Sequence, residues 1–119
     1  MNTDKRKSHR FPFMAIASLD MIRDGALVSV SSLVNNISYS GLGLSSYVPI
    51  TEGSHVSIRV RKIKGSDNDE IVDGTVAYVI KRNDSYYMGI ALDGELHPDR
   101  QPKLYEHFFN TLRFSRSYH

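Results

Sequence analysis

Apolar and polar residues alternate along the middle of the chain, which is the pattern of half-buried β-strands. The alternation is clearest in His55–Ile63, where Val56, Ile58 and Val60 share one side of the predicted strand. Five further segments of this kind are separated by short polar turns: Phe13–Asp20, Ala26–Val34, Gly41–Ser46, Glu70–Lys81 and Tyr86–Asp93. Six strands at this spacing indicate an antiparallel sandwich or barrel.

Glycines mark the turns and bends of these strands. Asp24-Gly25 follows the first strand and is a strong signal for a two-residue hairpin. Gly74 and Gly89 each interrupt a strand, where glycine marks a bulge or a close approach of two backbones. A small barrel needs such bends to close, so a structural role accounts for both glycines.

The pattern becomes helical near the end of the chain. Leu104, Phe108 and Leu112 recur at four-residue spacing, which predicts a helix of about a dozen residues. Asp99 is a suitable N-cap, and Pro102 suits the first turn. We expect the apolar stripe to pack against the sheet, and a homodimer interface is the second use open to it.

Composition divides the chain into an arm, a sheet domain and a helix. The 119 residues are 40% hydrophobic and suffice for one core, and there is no cysteine. Residues 1–12 form a polar, basic stretch that predicts a flexible arm, 13–97 hold the strands, and 98–119 hold the helix and a tail. No apolar run approaches the ~18 residues of a membrane span and no secretory signal is visible, so we expect a cytoplasmic protein.

The chain contains residues that can act in catalysis or bind metals, but they do not have the spacing that these functions require. The five histidines are scattered, and no serine lies in a nucleophile elbow. Asp67 and Glu70 belong to an acidic stretch and are interpreted as an exposed, charged turn rather than an acid–base pair. The net charge of +2 is too small to favour a nucleic-acid polymer as partner. We therefore expect no catalytic residue, no metal and no cofactor.

Two polar motifs have no use in a core and indicate a ligand. Arg6 and Arg10 lie four apart in the basic arm, and a guanidinium group can grip phosphate or the O6/N7 edge of guanine. Asn36 and Ser38 are two apart, so they present an amide and a hydroxyl on one side. Gly41 permits a positive φ and a close backbone approach. Taken singly, each motif is equally typical of a solvated arm or an ordinary turn.

In this order and spacing, the motifs resemble those of the PilZ domain, a bacterial receptor module for cyclic di-GMP. Arg6–Arg10 matches the R-x-x-x-R of that family, and Asn36–Gly41 matches its [D/N]-x-S-x-x-G. Further on, the segments Asp73–Val79 and Tyr86–Leu92 resemble two late strands of the family. The resemblance spans nearly the whole chain and implies a six-stranded antiparallel barrel with a C-terminal helix.

The resemblance also implies a role for each residue that matches the motifs. Arg6 and Arg10 would contact guanine edges and phosphates and stack on the bases. Asn36 would meet a guanine edge, and Ser38 a phosphate or a base edge. Gly41 would keep the barrel surface open to cyclic di-GMP. The family accepts Asp or Asn at the first of these turn positions, so Asn36 is no departure.

The resemblance implies a switch as its mechanism. The arm is too poor in apolar residues to order itself, and a ligand that bridges the two motifs would order it on the barrel. A downstream effector protein would then read the changed surface. Lys5 stands just before the first motif and is compatible with a stacked pair of ligand molecules, which carries more phosphate charge.

Two other functions are kept open. One is a PilZ-like adaptor that binds a partner protein and no nucleotide, against which the intact arginines argue. The other is a small barrel for single-stranded nucleic acid, with Arg59 and Arg61 as its platform. The low net charge counts against the second.

Overall fold

The computed structural model describes residues 10–61 and 69–117, with side chains up to residue 110. Within these ranges six strands are followed by one helix. Their bounds are β1 Phe11–Arg23, β2 Ala26–Ile37, β3 Gly41–Ser46, β4 His55–Val60, β5 Glu70–Lys81, β6 Tyr86–Leu92 and α1 Pro102–Ser117. Arg6 of the first motif, Lys5 just before it, and Asp67 of the acidic stretch lie outside the described residues.

The six strands form a closed antiparallel barrel in the order β1-β2-β3-β6-β5-β4. The ring closes because β1 pairs with β2 on one side and with β4 on the other. Leu19, for example, lies opposite Val30 of β2 and opposite Ile58 of β4. Among the described residues, closure gives each of the six strands a hydrogen-bonded neighbour on both sides. The barrel expected from the family resemblance is confirmed, and the sandwich is excluded.

Alternate side chains of every strand fill the barrel interior. In β4, Val56, Ile58 and Val60 are buried, as the alternation predicted, while Ser57 and Arg59 are only half-buried. Each fully buried aliphatic side chain of this size stabilises the fold by about 1.5–3 kcal/mol. The core draws such residues from all six strands, so its stability depends on the register of the whole ring.

The β1–β2 hairpin is longer than the sequence pattern indicated. Its turn is Asp24-Gly25, with φ of 52° and 79°, which is the backbone of the expected two-residue hairpin. β1 begins at Phe11, so residues 11 and 12, assigned above to the arm, belong to the barrel. β2 continues to Ile37, so Asn36 lies in a strand and not in a turn. Cross-strand partners on both sides override the weak strand propensity of asparagine.

The helix begins at Pro102, and its N-terminus is capped from the sheet. The expected N-cap, Asp99, lies three residues before the helix and does not cap it. Instead, the carboxylate of Glu70 accepts hydrogen bonds from the backbone N–H groups of Lys103, at 2.8 Å, and Leu104, at 2.9 Å. Glu70 is only 5% exposed, so its interpretation as part of an exposed turn was wrong. A carboxylate at this place also matches the helix dipole.

The apolar stripe of α1 packs against one end of the barrel, as expected. Leu104 and Phe108 are completely buried. The ring of Phe108 meets Phe11 at 5.5 Å between centroids and Tyr39 at 4.5 Å. Phe11 starts β1 and Tyr39 follows β2, so the helix lies at the end of the barrel where the odd-numbered strands begin. Both motifs reach the barrel at this same end.

The cap supplied by Glu70 predicts a loss of stability on substitution. Glu70→Gln removes the charge and one of the two carboxylate acceptors, and we expect the free energy of unfolding to fall by about 1–2 kcal/mol. Chemical denaturation measures the loss. Asp69→Asn is the matched control, because Asp69 is the exposed neighbouring acid. Equal stability of the two variants would contradict the capping role.

Candidate functional site

Arg10 and Asn36 bring the two motifs together on the outer surface of the barrel. Arg10 directly precedes β1 and is half-buried. Its Nη1 donates a hydrogen bond to Oδ1 of Asn36 at 3.2 Å, across 26 residues of sequence. Asn36 lies opposite Pro12 in the β1–β2 ladder, so strand register places it beside the arm. Arg10 is therefore held by the barrel itself. The ordering on ligand binding that we expected of the whole arm can then concern only the residues before Arg10.

Ser38 closes the turn between β2 and β3. Its backbone N–H and its hydroxyl both donate to the carbonyl oxygen of Gly41, at 2.9 Å and 3.3 Å. The side chain is 2% exposed, so the hydroxyl is occupied inside the turn. Of the two roles open to Ser38 from sequence, the structure contains the local turn contact. Ser38 thus fixes the turn that places Gly41 beside Arg10.

Gly41 is required because its neighbours leave no space for a side chain, and not because of its φ angle. Within the described ranges, Gly25 and Gly53 are the glycines with positive φ, so that part of the expectation for Gly41 was wrong. A Cβ atom at Gly41 would lie 2.8 Å from the carbonyl oxygen of Ile90 and 3.2 Å from Nη2 of Arg10. The missing side chain therefore leaves room for the Arg10 guanidinium group against the barrel surface.

Tyr87 belongs to the same cluster and was not found from the sequence. Nδ2 of Asn36 donates to the Tyr87 hydroxyl at 2.7 Å, although the two residues lie on β2 and β6. Gly43, on the intervening strand β3, is opposite Asn36 in register. A Cβ there would collide with Tyr87 Oη and with the Asn36 amide, so glycine lets the two side chains meet over β3. The strand order of the barrel, which sequence alone did not provide, is what joins them.

Arg82 extends the polar surface past Tyr87. Its guanidinium carbon lies 4.7 Å from the centroid of the Tyr87 ring, a cation–π contact. Tyr78 is a second aromatic neighbour of Tyr87, with 6.3 Å between ring centroids. Guanidinium groups thus flank the hydrogen-bonded pair of Asn36 and Tyr87, with Arg10 at the amide and Arg82 at the ring. This arrangement suits an anionic ligand with flat rings, which needs charge and stacking surfaces together.

Arg10, Asn36 and Tyr87 are half-buried, so the cluster reaches the surface of the barrel. A cavity of about 540 Å³ lies elsewhere, between β1 and α1, where Phe13 and His107 are among its lining residues. Among the described residues, no group of three or more histidine or acidic side chains is placed to hold a metal ion.

Tyr39 links the second motif to the helix. It stands between Ser38 and Gly41 in sequence and packs on Phe108, with Tyr105 at 6.3 Å between ring centroids. Burial raises the pKa of Tyr39, and a hydrogen bond with Tyr105 adds to the rise, so the phenol is neutral at physiological pH. The turn that carries Ser38 and Gly41 is therefore anchored on α1 by an uncharged aromatic contact.

A comparison with models of protein families finds a match that covers most of the chain. The family model described as the PilZ domain matches residues 4–108, which include both motifs and every strand. The chain belongs to the PilZ domain family. The comparison with curated proteins finds no match. Within the ranges described, no helix has the length and apolar character of a membrane span.

Solved structures similar to this PilZ domain include two proteins of the same fold. One is the inhibitor of motility MotI/DgrA of Bacillus subtilis, with a TM-score of 0.61 and 13% identity over 87% of this chain and 50% of that one. The other is the PilZ domain of CeSA from a cellulose-synthesizing bacterium, with a TM-score of 0.55 and 17% identity over 87% and 98%. This PilZ domain thus spans half of the motility inhibitor. At these identities the likeness shows the fold alone.

The crowding around Gly41 predicts a cost for the smallest substitution. Gly41→Ala places a methyl group against the Ile90 carbonyl oxygen, and we expect the free energy of unfolding to fall by about 1–3 kcal/mol. Gly94→Ala is the control, because a Cβ at Gly94 has no atom within 4 Å and its φ is not positive. Thermal denaturation of both variants measures the difference. Similar melting temperatures would show that Gly41 has more room than the structure indicates.

Proposed function

We propose that this PilZ domain is a receptor for cyclic di-GMP and binds it at the Arg10–Asn36 cluster. The observation that carries the proposal is the hydrogen bond between Arg10 and Asn36, which unites two motifs from distant parts of the chain. Membership of the PilZ family supports it, since the family consists of receptor and adaptor modules. The proposed site comprises the matching residues of both motifs, together with Lys5 just before the first: Lys5, Arg6, Arg10, Asn36, Ser38 and Gly41.

The chemistry of the cluster fits the chemistry of the ligand. Cyclic di-GMP carries two phosphates and two guanine bases on one ring. The Arg10 guanidinium group has five N–H donors and uses one on Asn36, so others remain for a phosphate or for the O6/N7 edge of guanine. Oδ1 of Asn36 has a second lone pair, which can accept an N–H of guanine. Ser38 contributes by fixing the turn, and its buried hydroxyl supports that role better than a direct contact.

Arg6 and Lys5 would contact the ligand from the side of the arm. Four residues of chain span at most about 14 Å, so Arg6 can reach a ligand that is bound at Arg10. A second guanidinium group on the far side of the ligand would add phosphate contacts and a plane for base stacking. The ordering step of the proposed switch then concerns the residues before Arg10.

The same geometry suggests how binding reaches a partner protein. Arg10 is followed by Phe11, and Ser38 is followed by Tyr39, and both aromatic rings pack on Phe108 of α1. A ligand that pulls Arg10 and the β2–β3 turn together would therefore act on Phe11 and Tyr39, which both contact Phe108. We propose that the surface around the start of β1 and α1 is what an effector protein reads.

An adaptor that binds no nucleotide is the second candidate. The side chains of Met14 and Ile16 on β1 are 65% and 61% exposed, although both are apolar. Such a surface suits a protein partner whether or not a nucleotide is present. The two functions are distinguished by a direct binding experiment.

Isothermal titration of the purified chain with cyclic di-GMP tests the receptor function. We expect selective binding with a Kd on the order of micromolar or tighter, and no comparable heat with GTP or the linear dinucleotide. The molar ratio distinguishes one bound ligand from a stacked pair. An absence of heat, together with an unshifted melting curve, would refute the receptor function and favour the adaptor.

Removing either motif arginine should abolish tight binding. For Arg10→Ala we also expect the free energy of unfolding to fall by about 0.5–1.5 kcal/mol, because its bond to Asn36 is lost. Arg6→Ala tests the contact from the arm, and Arg23→Ala is the control. Arg23 is exposed at the opposite end of the barrel, so its loss should leave the affinity unchanged. Normal affinity of Arg10→Ala would place the ligand elsewhere.

A further inference from the structure

Three side chains form a hydrogen-bonded row over the barrel surface. Arg10 donates to Oδ1 of Asn36 at 3.2 Å, and Nδ2 of Asn36 donates to the Tyr87 hydroxyl oxygen at 2.7 Å. The row crosses from the start of β1 to β6 and passes over Gly43 on β3. The family motifs account for Arg10 and Asn36, but Tyr87 belongs to neither motif.

The chemistry of the row fixes the orientation of the Asn36 amide. A guanidinium group has donors only, so the atom of Asn36 that faces Arg10 must be the acceptor Oδ1. Nδ2 must then face Tyr87, whose oxygen accepts and whose own proton points away from Asn36. Because a hydroxyl can donate as well as accept, Arg10 sets the orientation, and Tyr87 holds the other end of the amide in place. Without the Tyr87 hydroxyl, that end of the amide would lose its partner.

We propose that Tyr87 is a positioning residue for the ligand site, and this inference rests on the proposed binding of cyclic di-GMP. Its hydroxyl holds the Nδ2 end of the Asn36 amide, while Arg10 fixes the Oδ1 end. The amide is then held at both ends, with Oδ1 placed beside Arg10 and available to the guanine N–H groups. Loss of the hydroxyl would leave the amide held at one end only, which weakens recognition.

Alanine at position 36 would remove the amide through which Tyr87 acts. The hydroxyl of Tyr87 would then have no side-chain amide to hold, so its removal should cost little further affinity. A hydroxyl that contacts the ligand directly would matter with asparagine and with alanine alike. This difference separates positioning from direct contact with the ligand.

The surroundings of Tyr87 allow its hydroxyl to be removed without moving its ring. The ring contacts Arg82, at 4.7 Å from the ring centroid, and Tyr78, at 6.3 Å between centroids, and neither contact is a hydrogen bond of the hydroxyl. Tyr87→Phe therefore keeps the ring, the cation–π contact and the barrel core. Tyr86→Phe is the matched control, because Tyr86 is also a half-buried tyrosine of β6 but its side chain points to the opposite face.

A double-mutant cycle tests the inference by titration with cyclic di-GMP. We expect Tyr87→Phe to weaken binding by about tenfold in the natural chain, and by less than about threefold in the Asn36→Ala background. Tyr86→Phe should leave the affinity unchanged. An equal loss in both backgrounds would mean that Tyr87 touches the ligand directly, and no loss in either would mean that it has no role. Both results overturn the inference.

A second measurement needs no ligand. In the free protein, nuclear magnetic resonance reports the two side-chain N–H protons of Asn36, one of which is bonded to Tyr87. Tyr87→Phe should shift these resonances and narrow the difference between them, and Tyr86→Phe should not. Unmoved Asn36 resonances would overturn the inference whether or not cyclic di-GMP binds. If the natural chain binds no cyclic di-GMP, the proposed receptor function fails, and this measurement still decides whether Tyr87 holds the Asn36 amide.

Discussion

The packing of Phe108 against Phe11 and Tyr39 determines how the two motif segments lie relative to each other. Phe11 follows Arg10 directly, and Tyr39 stands inside the second motif, so one ring of α1 contacts the neighbours of both. This contact is completely buried at Phe108, and its strength comes from aromatic area removed from water. The Arg10–Asn36 hydrogen bond is weak by comparison and forms where this packing places it.

Close packing over the glycines of β3 shapes the surface on which the polar cluster lies. Gly41 and Gly43 start β3 with almost no side-chain volume, and the freed space is taken by Arg10 on one side and by Asn36 with Tyr87 on the other. The polar side chains therefore lie directly against the backbone of a closed barrel, and the barrel limits their movement. Donors and acceptors that are fixed in this way lose less conformational entropy when a ligand binds. The rigidity of the barrel is thus part of the chemistry of the site.

Much of this arrangement could be predicted from the sequence, and the failures share a cause. Strand alternation, the Asp24-Gly25 turn and the helical stripe are local signals, and all six strands and the helix were found. The cap supplied by Glu70, the strand position of Asn36 and the contact of Tyr87 depend on which strands become neighbours. Asp99 was the better cap by local rules, but a carboxylate on β5 was closer in space. The motif residues were found because their order along the chain resembles a known family.

The Asp24-Gly25 hairpin makes the two ends of the barrel unequal. β1 runs for 13 residues, which at about 3.3 Å per residue separates the turn from Arg10 by roughly 40 Å. The helix, Arg10, the second motif and the cap from Glu70 all lie at the other end. A fluorescent reporter grafted into this turn would therefore stand clear of the Arg10–Asn36 cluster and of α1. The fold thus offers an attachment point for a label that leaves both of these surfaces untouched.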